Sequence, residues 1–229
     1  MKKLVALVLA LALCFTCVSA LAAGKLSVTQ ENTHFITSYS NYYYAYAKVE
    51  NVGDKAIKVN AGVLEVYNAD GDAITSSDYI SAYARYLEPG EYTYVRAYED
   101  IEDGQTPDDY SLTITGKAEK DYANQRFATE TNLELNVDAG WTTRNYMYAT
   151  VTNTTDDVLY DLSVVLALLD AEGNILYIDS DDLYTERGLT PGSSMVFRKD
   201  IPSNYIEYFE ANDLVPATVD AIAYIEVEQ

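Results

Sequence analysis

The sequence predicts an all-β protein made of two β-sandwich domains in tandem. Segments of 6 to 11 residues rich in Val, Ile, Thr and Tyr alternate with turn signals at regular spacing. One stretch, Tyr44-Ala45-Tyr46-Ala47-Lys48-Val49-Glu50-Asn51, returns 102 residues later as Tyr146-Met147-Tyr148-Ala149-Thr150-Val151-Thr152-Asn153. In that ungapped register, 15 of the 53 positions from 44 to 96 are identical. Chance would give roughly three or four, so a duplicated fold is the natural account.

The chain opens on a secretory pattern. Lys2 and Lys3 precede an apolar run from Leu4 to Phe15, and small residues follow, with a cleavage site after Ala20 or Ala22. Cys14 and Cys17 both leave with this leader. The remaining chain therefore has no thiol chemistry and no disulfides. The expected boundaries are a leader at 1–22, a first domain at 23–116, a linker at 117–126 and a second domain at 127–229.

In the first domain, strands are expected at 27–37, 42–50, 56–67, from Ala73 onward, at 91–98 and at 110–115. Asn51-Val52-Gly53-Asp54 and Leu87-Glu88-Pro89-Gly90 are turn clusters. Asn68-Ala69-Asp70-Gly71-Asp72 reads as a hairpin turn with Gly71 at positive φ. Residues 101–109 form an acidic loop. In the second domain the strands recur at 131–137, 146–152, 158–169, 175–178, 193–199 and 219–227. A segment at 203–212 has no counterpart in the first domain. It reads as a short helix with Ser203 as its N-cap.

Alternation assigns the faces. Ala45, Ala47 and Val49 point into the first core, as Met147, Ala149 and Val151 point into the second. Thr93, Val95 and Ala97 face inward on a later strand. The run Leu162-Ser163-Val164-Val165-Leu166-Ala167-Leu168-Leu169 is apolar on both faces. That strand is expected to be central, or to have its outer face covered by the other domain or by the 203–212 segment.

These residues also carry a resemblance. The x-Val-x-Asn strand end, Val158-Leu159-Tyr160-Asp161, the turn Asp170-Ala171-Glu172-Gly173 and Leu189-Thr190-Pro191-Gly192 before a strand with Phe197 resemble the FxLYD family. These are small extracytoplasmic bacterial domains. The first copy departs from the pattern, with Ile57-Lys58-Val59 at the place of the Leu-Tyr-Asp element. The resemblance implies an immunoglobulin-like sandwich in each copy, no known catalysis and no defined functional residues.

Charge and composition exclude several functions. Without Lys2 and Lys3, 13 basic residues face 36 acidic ones, a net charge of −23. Such a surface repels phosphate backbones, so no nucleic-acid partner is expected, and no membrane insertion once the leader is gone. His34 is the only histidine, which leaves no nucleophile–base pair and no zinc set. The protein is expected not to be an enzyme, to take no cofactor and to hold no metal. The acidic clusters Asp156-Asp157 and Asp179-Ser180-Asp181-Asp182 read as solvated edges, with a weakly held cation such as calcium as the alternative.

The tyrosines, 22 in all, carry the functional reading. Tyr39, Tyr42, Tyr43, Tyr44 and Tyr46 crowd the start of the second strand. If that strand and 91–98 are neighbours in one sheet, Tyr44 and Tyr46 join Tyr92, Tyr94, Arg96 and Tyr98 on one outward face. Rigid amphipathic rings with an arginine are the composition of recognition surfaces. Cross-strand ladders that only stabilise a sheet use the same residues. The second copy has Ser194 and Val196 in place of Tyr92 and Tyr94, whereas a purely structural ladder would be expected in both copies. The expected function is a secreted binding or adhesion module for an extracellular protein or glycan. The alternative is a structural spacer or assembly component of the cell envelope.

Overall fold

The computed structural model describes residues 25–37, 40–183 and 185–229. The expected leader at 1–22 and Tyr39 lie outside the described residues. Four antiparallel sheets and one short helix account for the regular structure described.

In the N-terminal half, one sheet has the order β1 (Leu26–Thr37), β2 (Asn41–Asn51), β7 (Tyr92–Asp100), β5 (Ile80–Ala82). The opposing sheet is built on β3 (Ile57–Tyr67), which pairs with β4 (Ala73–Ser77), β6 (Tyr86–Leu87) and β8 (Asp109–Ala118). Ala45, Ala47, Val49, Val95 and Ala97 are fully buried between the sheets, against Ile57, Val59, Leu64 and Val66. Alternation of small and branched residues at period two makes this face.

The C-terminal half repeats the plan. One sheet is β10 (Thr129–Asp138), β11 (Thr143–Thr152), β14 (Ser194–Asp200). The other is β13 (Ile175–Asp182), β12 (Ser163–Leu169), β15 (Thr218–Glu228), β9 (Tyr122–Phe127). Met147, Ala149 and Val151 are fully buried, as the alternation requires.

The repeat is preserved down to single hydrogen bonds. Asn51 is buried, and its Nδ2 donates to the carbonyls of Lys55 (2.8 Å) and Leu87 (2.9 Å). Its Oδ1 accepts from the Gly53 amide at 3.0 Å. Asn153 does the same with Asp157 (2.7 Å), Leu189 (2.8 Å) and the Thr155 amide (2.9 Å). Each partner lies at the 102-residue offset. A buried side-chain amide here ties together backbone groups on both sides of the turn, which is why the residue recurs. The Asn68 turn is likewise closed by its own side chain. Asn68 Oδ1 accepts from the amides of Asp70 (3.0 Å) and Asp72 (2.9 Å), and Gly71 takes φ 83°.

Two features differ from the sequence reading, and one differs between the two halves. Residues 117–126 are not a free linker. β8 runs on through Ala118, and β9 pairs with β15 as the outer strand of its sheet, so only Glu119-Lys120-Asp121 lies between them. The helix at 203–212 forms as α1 (Ser203–Ala211), but its N-cap is Pro202 and Ser203 is inside it. Proline fixes the φ of the residue before the first turn, and no side-chain cap bond forms. Finally, β4 ends at Ser77 and the chain crosses to pair with β7 as β5. Its counterpart β13 stays with β12 as far as Asp182.

Candidate functional site

β2 and β7 are neighbours, in the register that builds the tyrosine face. Tyr44 lies opposite Tyr98, Tyr46 opposite Arg96, Lys48 opposite Tyr94 and Glu50 opposite Tyr92. All point away from the N-terminal core. The expectation of one open surface is nevertheless corrected. Tyr46 and Tyr94 are fully buried and belong to the same core cluster as Leu166, Ala167 and Ile178 of the C-terminal half. The face is a seam between the halves. This also accounts for the two-sided apolar pattern of β12, which is central in its sheet and has its outer face covered.

The polar atoms of the tyrosines are matched across the seam. Tyr92 and Tyr94 Oη both donate to Asp220 Oδ2, at 2.8 and 2.6 Å. Lys48 Nζ is 3.9 Å from the same oxygen and 3.8 Å from the centre of the Tyr92 ring. Tyr46 Oη shares a hydrogen bond of 3.0 Å with Tyr205 Oη on α1. Arg96 Nη1 donates to the Ile178 carbonyl at 3.3 Å. At the seam's margin, Arg126 Nη2 donates to the Tyr92 carbonyl at 2.7 Å, and its Nε pairs with Glu91 at 3.0 Å. Burial raises the pKa of the Tyr46, Tyr94 and Tyr205 hydroxyls, and the Asp220 carboxylate adds to it at Tyr94. These groups stay protonated and act as hydrogen-bonding phenols.

His34 lies in the same seam. It is 2% exposed, with ring centroids of Tyr46, Tyr208 and Phe209 at 5.8, 5.3 and 6.0 Å, and its Nε2 has no hydrogen-bond partner. Burial lowers its pKa to about 4, so the ring is neutral at pH 7. It packs as an aromatic side chain.

One end of the tyrosine face remains open. Tyr42 and Tyr44 are half-buried, and Tyr98 is exposed. Their ring centroids lie 5.9 to 6.1 Å apart. Next to them a groove of about 370 Å³ runs between β2 and α1, lined by Ile36, Tyr42, Tyr44, Ser203, Asn204 and Glu207. Beyond Asn204 and Glu207 a second hollow of about 500 Å³ reaches Phe35, Thr37 and Asn212. The arrangement offers aromatic faces beside an amide, a carboxylate and hydroxyls.

The six residues read from the sequence therefore separate. Tyr44 and Tyr98 border the open end. Tyr46, Tyr94 and Arg96 lie under the C-terminal half, and Tyr92 is tied to Asp220. The partners across the seam, Asp220 and Tyr205, were not legible in sequence, because nothing in the repeat pairs them with β2 or β7. Trp141 was also missed. It is fully exposed in the β10–β11 hairpin beside Gly140, and the signal was a lone tryptophan in a turn. Among the described residues no group of three His, Cys, Asp or Glu side chains could hold a metal. No helix among them is long and apolar enough to cross a membrane. In comparisons with known proteins, no family model matches the chain, and neither does any curated protein.

Proposed function

We propose that the protein is an exported, non-catalytic binding module made of two tandem immunoglobulin-like sandwiches of the FxLYD kind. It recognises an extracellular glycan or protein through the open end of the tyrosine face. The observation that carries this reading is the triad of Tyr42, Tyr44 and Tyr98 beside the groove that holds Asn204 and Glu207. Rings present flat apolar area at low entropic cost, and the amide and carboxylate supply directional bonds to hydroxyls. The reading needs no cofactor, and the leader at 1–22 supports export.

A glycan array probed with the full chain tests it, alongside Tyr42→Ala and Tyr98→Ala. Each substitution should lower retention on any hit by about tenfold or more, as loss of an aromatic anchor does. Melting temperatures should stay close to the parent's, since neither hydroxyl bridges the seam. Retention that is indifferent to both changes refutes the site.

A second reading, the structural spacer, draws on a different observation. Tyr46 and Tyr94 share one core cluster with the C-terminal half, so the two halves are joined by packing as well as by chain. Stiffness of that kind suits a positioning element. Blank arrays together with a rigid scattering profile in solution favour it.

A further inference from the structure

We infer that the outer edge of β14 is a docking site for an extended peptide that adds to the sheet as a strand, with a carboxylate opposite Arg198. The groove of the proposed function lies elsewhere, so the two can fail independently.

The inference starts from the repeat. In the N-terminal half the edge of β7 is covered by the chain's own β5, with Ile80, Ser81 and Ala82 opposite Ala97, Arg96 and Val95. One residue further, the Tyr83 amide donates to the Tyr94 carbonyl at 3.2 Å. At the 102-residue offset, Tyr94, Val95, Arg96 and Ala97 become Val196, Phe197, Arg198 and Lys199 of β14. No strand covers them among the described residues, and the sheet ends at β14. The reason is the path of β13. It stays bonded to β12 up to Asp182, where β4 has already left for the other sheet.

Backbone phase places the free groups. The Ile201 amide donates to the Asn145 carbonyl at 2.8 Å, which puts the odd-numbered residues of β14 in bonded pairs with β11. Val196 and Arg198 then direct their N–H and C=O to the open side, matching Tyr94 and Arg96, whose groups meet β5. Unpaired strand edges of this kind take up extended peptides through main-chain bonds.

The side chains select the occupant. Val196 is 59% exposed, and Arg198 is exposed on the same outer face. Among the described residues Arg198 makes no ion pair and rests 4.8 Å from the Tyr146 ring centre. Its neighbour Lys199 is already paired with Asp179 at 3.5 Å, and Asp200 with Arg144 at 2.6 Å. An antiparallel strand would therefore carry a carboxylate opposite Arg198 and, two residues later, an apolar or aromatic residue opposite Val196. β5 itself shows the register, with Ser81 opposite Arg96 and Tyr83 beside Tyr94.

The probe is a labelled synthetic peptide of residues 77–83 carrying Ser81→Glu, titrated into the full chain by fluorescence anisotropy. Saturable binding in the micromolar range is expected. Val196→Pro removes the central amide aimed at the open side and leaves every bond to β11 intact, so it should abolish binding while the circular dichroism spectrum is unchanged. Arg198→Glu should weaken binding by about tenfold, and a peptide carrying Ser81→Lys should bind less well to the parent. Absence of binding, or binding untouched by Val196→Pro, overturns the proposal. Self-association of the free chain that Val196→Pro suppresses would assign the edge to a second copy, and would overturn it too.

Discussion

Asp220→Ala is the sharpest test of the seam. The Asp220 carboxylate accepts from two hydroxyls of the other half, Tyr94 at 2.6 Å and Tyr92 at 2.8 Å, and among the described residues neither hydroxyl has another acceptor. Tyr94 has no exposed surface, so its hydroxyl would be left without a partner and without water. Leaving a buried donor unsatisfied costs about 1–3 kcal/mol, and a bond to a charged acceptor is worth about 1.5–3 kcal/mol. Tyr92 is half-buried, and water replaces most of what it loses. The Lys48 contact at 3.9 Å joins partly exposed groups and adds at most about 1 kcal/mol. The sum is a loss of about 3 kcal/mol, or roughly 6–12 °C in melting temperature for a chain of this size. Scanning calorimetry and urea denaturation measure it. Tyr94→Phe alone should cost about 1 kcal/mol, and the double-mutant cycle of the two should show coupling of at least about 1 kcal/mol. If both changes stay within about 0.5 kcal/mol, as surface substitutions do, the halves do not meet at these residues and the seam is wrong.

Two further outcomes follow from other parts of the fold. His34 titrates near 6.5 in the unfolded chain and at about 4 when folded, so its contribution is complete above pH 6.5 and lost as pH falls toward 4. At pH 5 the loss is about 2 kcal/mol, so the stability of the parent relative to His34→Phe should fall by about that much between urea titrations at pH 7.5 and 5.0. Asn51→Ala and Asn153→Ala each leave two carbonyls and one amide without their side-chain partner, and should each cost about 2–4 kcal/mol in chemical denaturation. The two costs should agree to within about 1 kcal/mol; a large gap would mean that the shared corner is not the same structure in both halves.

Much of the fold was legible because its signals are local. Period-two alternation in 44–50 and 146–152 identified the inner faces, and the strands carry those residues inward. Turn residues at Asn68 and Gly71 marked a hairpin that forms by their own hydrogen bonds. The pairing of β2 with β7 was expected from an immunoglobulin-like strand order, and the two strands are neighbours. Residues 117–126 misled because polarity and charge also suit an outer strand, and β9 has such a composition. Ser203 looked like a cap, but the backbone bend belongs to Pro202.

The candidate site was legible only in half. Outward tyrosines on adjacent strands are visible in the sequence as a face. Whether water, a ligand or the rest of the chain meets that face depends on contacts 120 residues or more away, such as Tyr94 with Asp220 and Tyr46 with Tyr205. No periodicity encodes such a pair, because each partner obeys its own strand or helix.

By itself, then, the sequence determined the all-β class, the duplicated corner at Asn51 and Asn153 and the side of each strand that faces its own core. These rest on alternation, turn chemistry and backbone satisfaction within a few residues. Only the tertiary structure decided that the tyrosine face closes on the C-terminal half, leaving Tyr42, Tyr44 and Tyr98 at its open end. It also decided that no strand among the described residues covers the edge of β14, where β5 covers that of β7. Both outcomes depend on which sheet a strand joins after it leaves its turn, and that is settled by long-range packing.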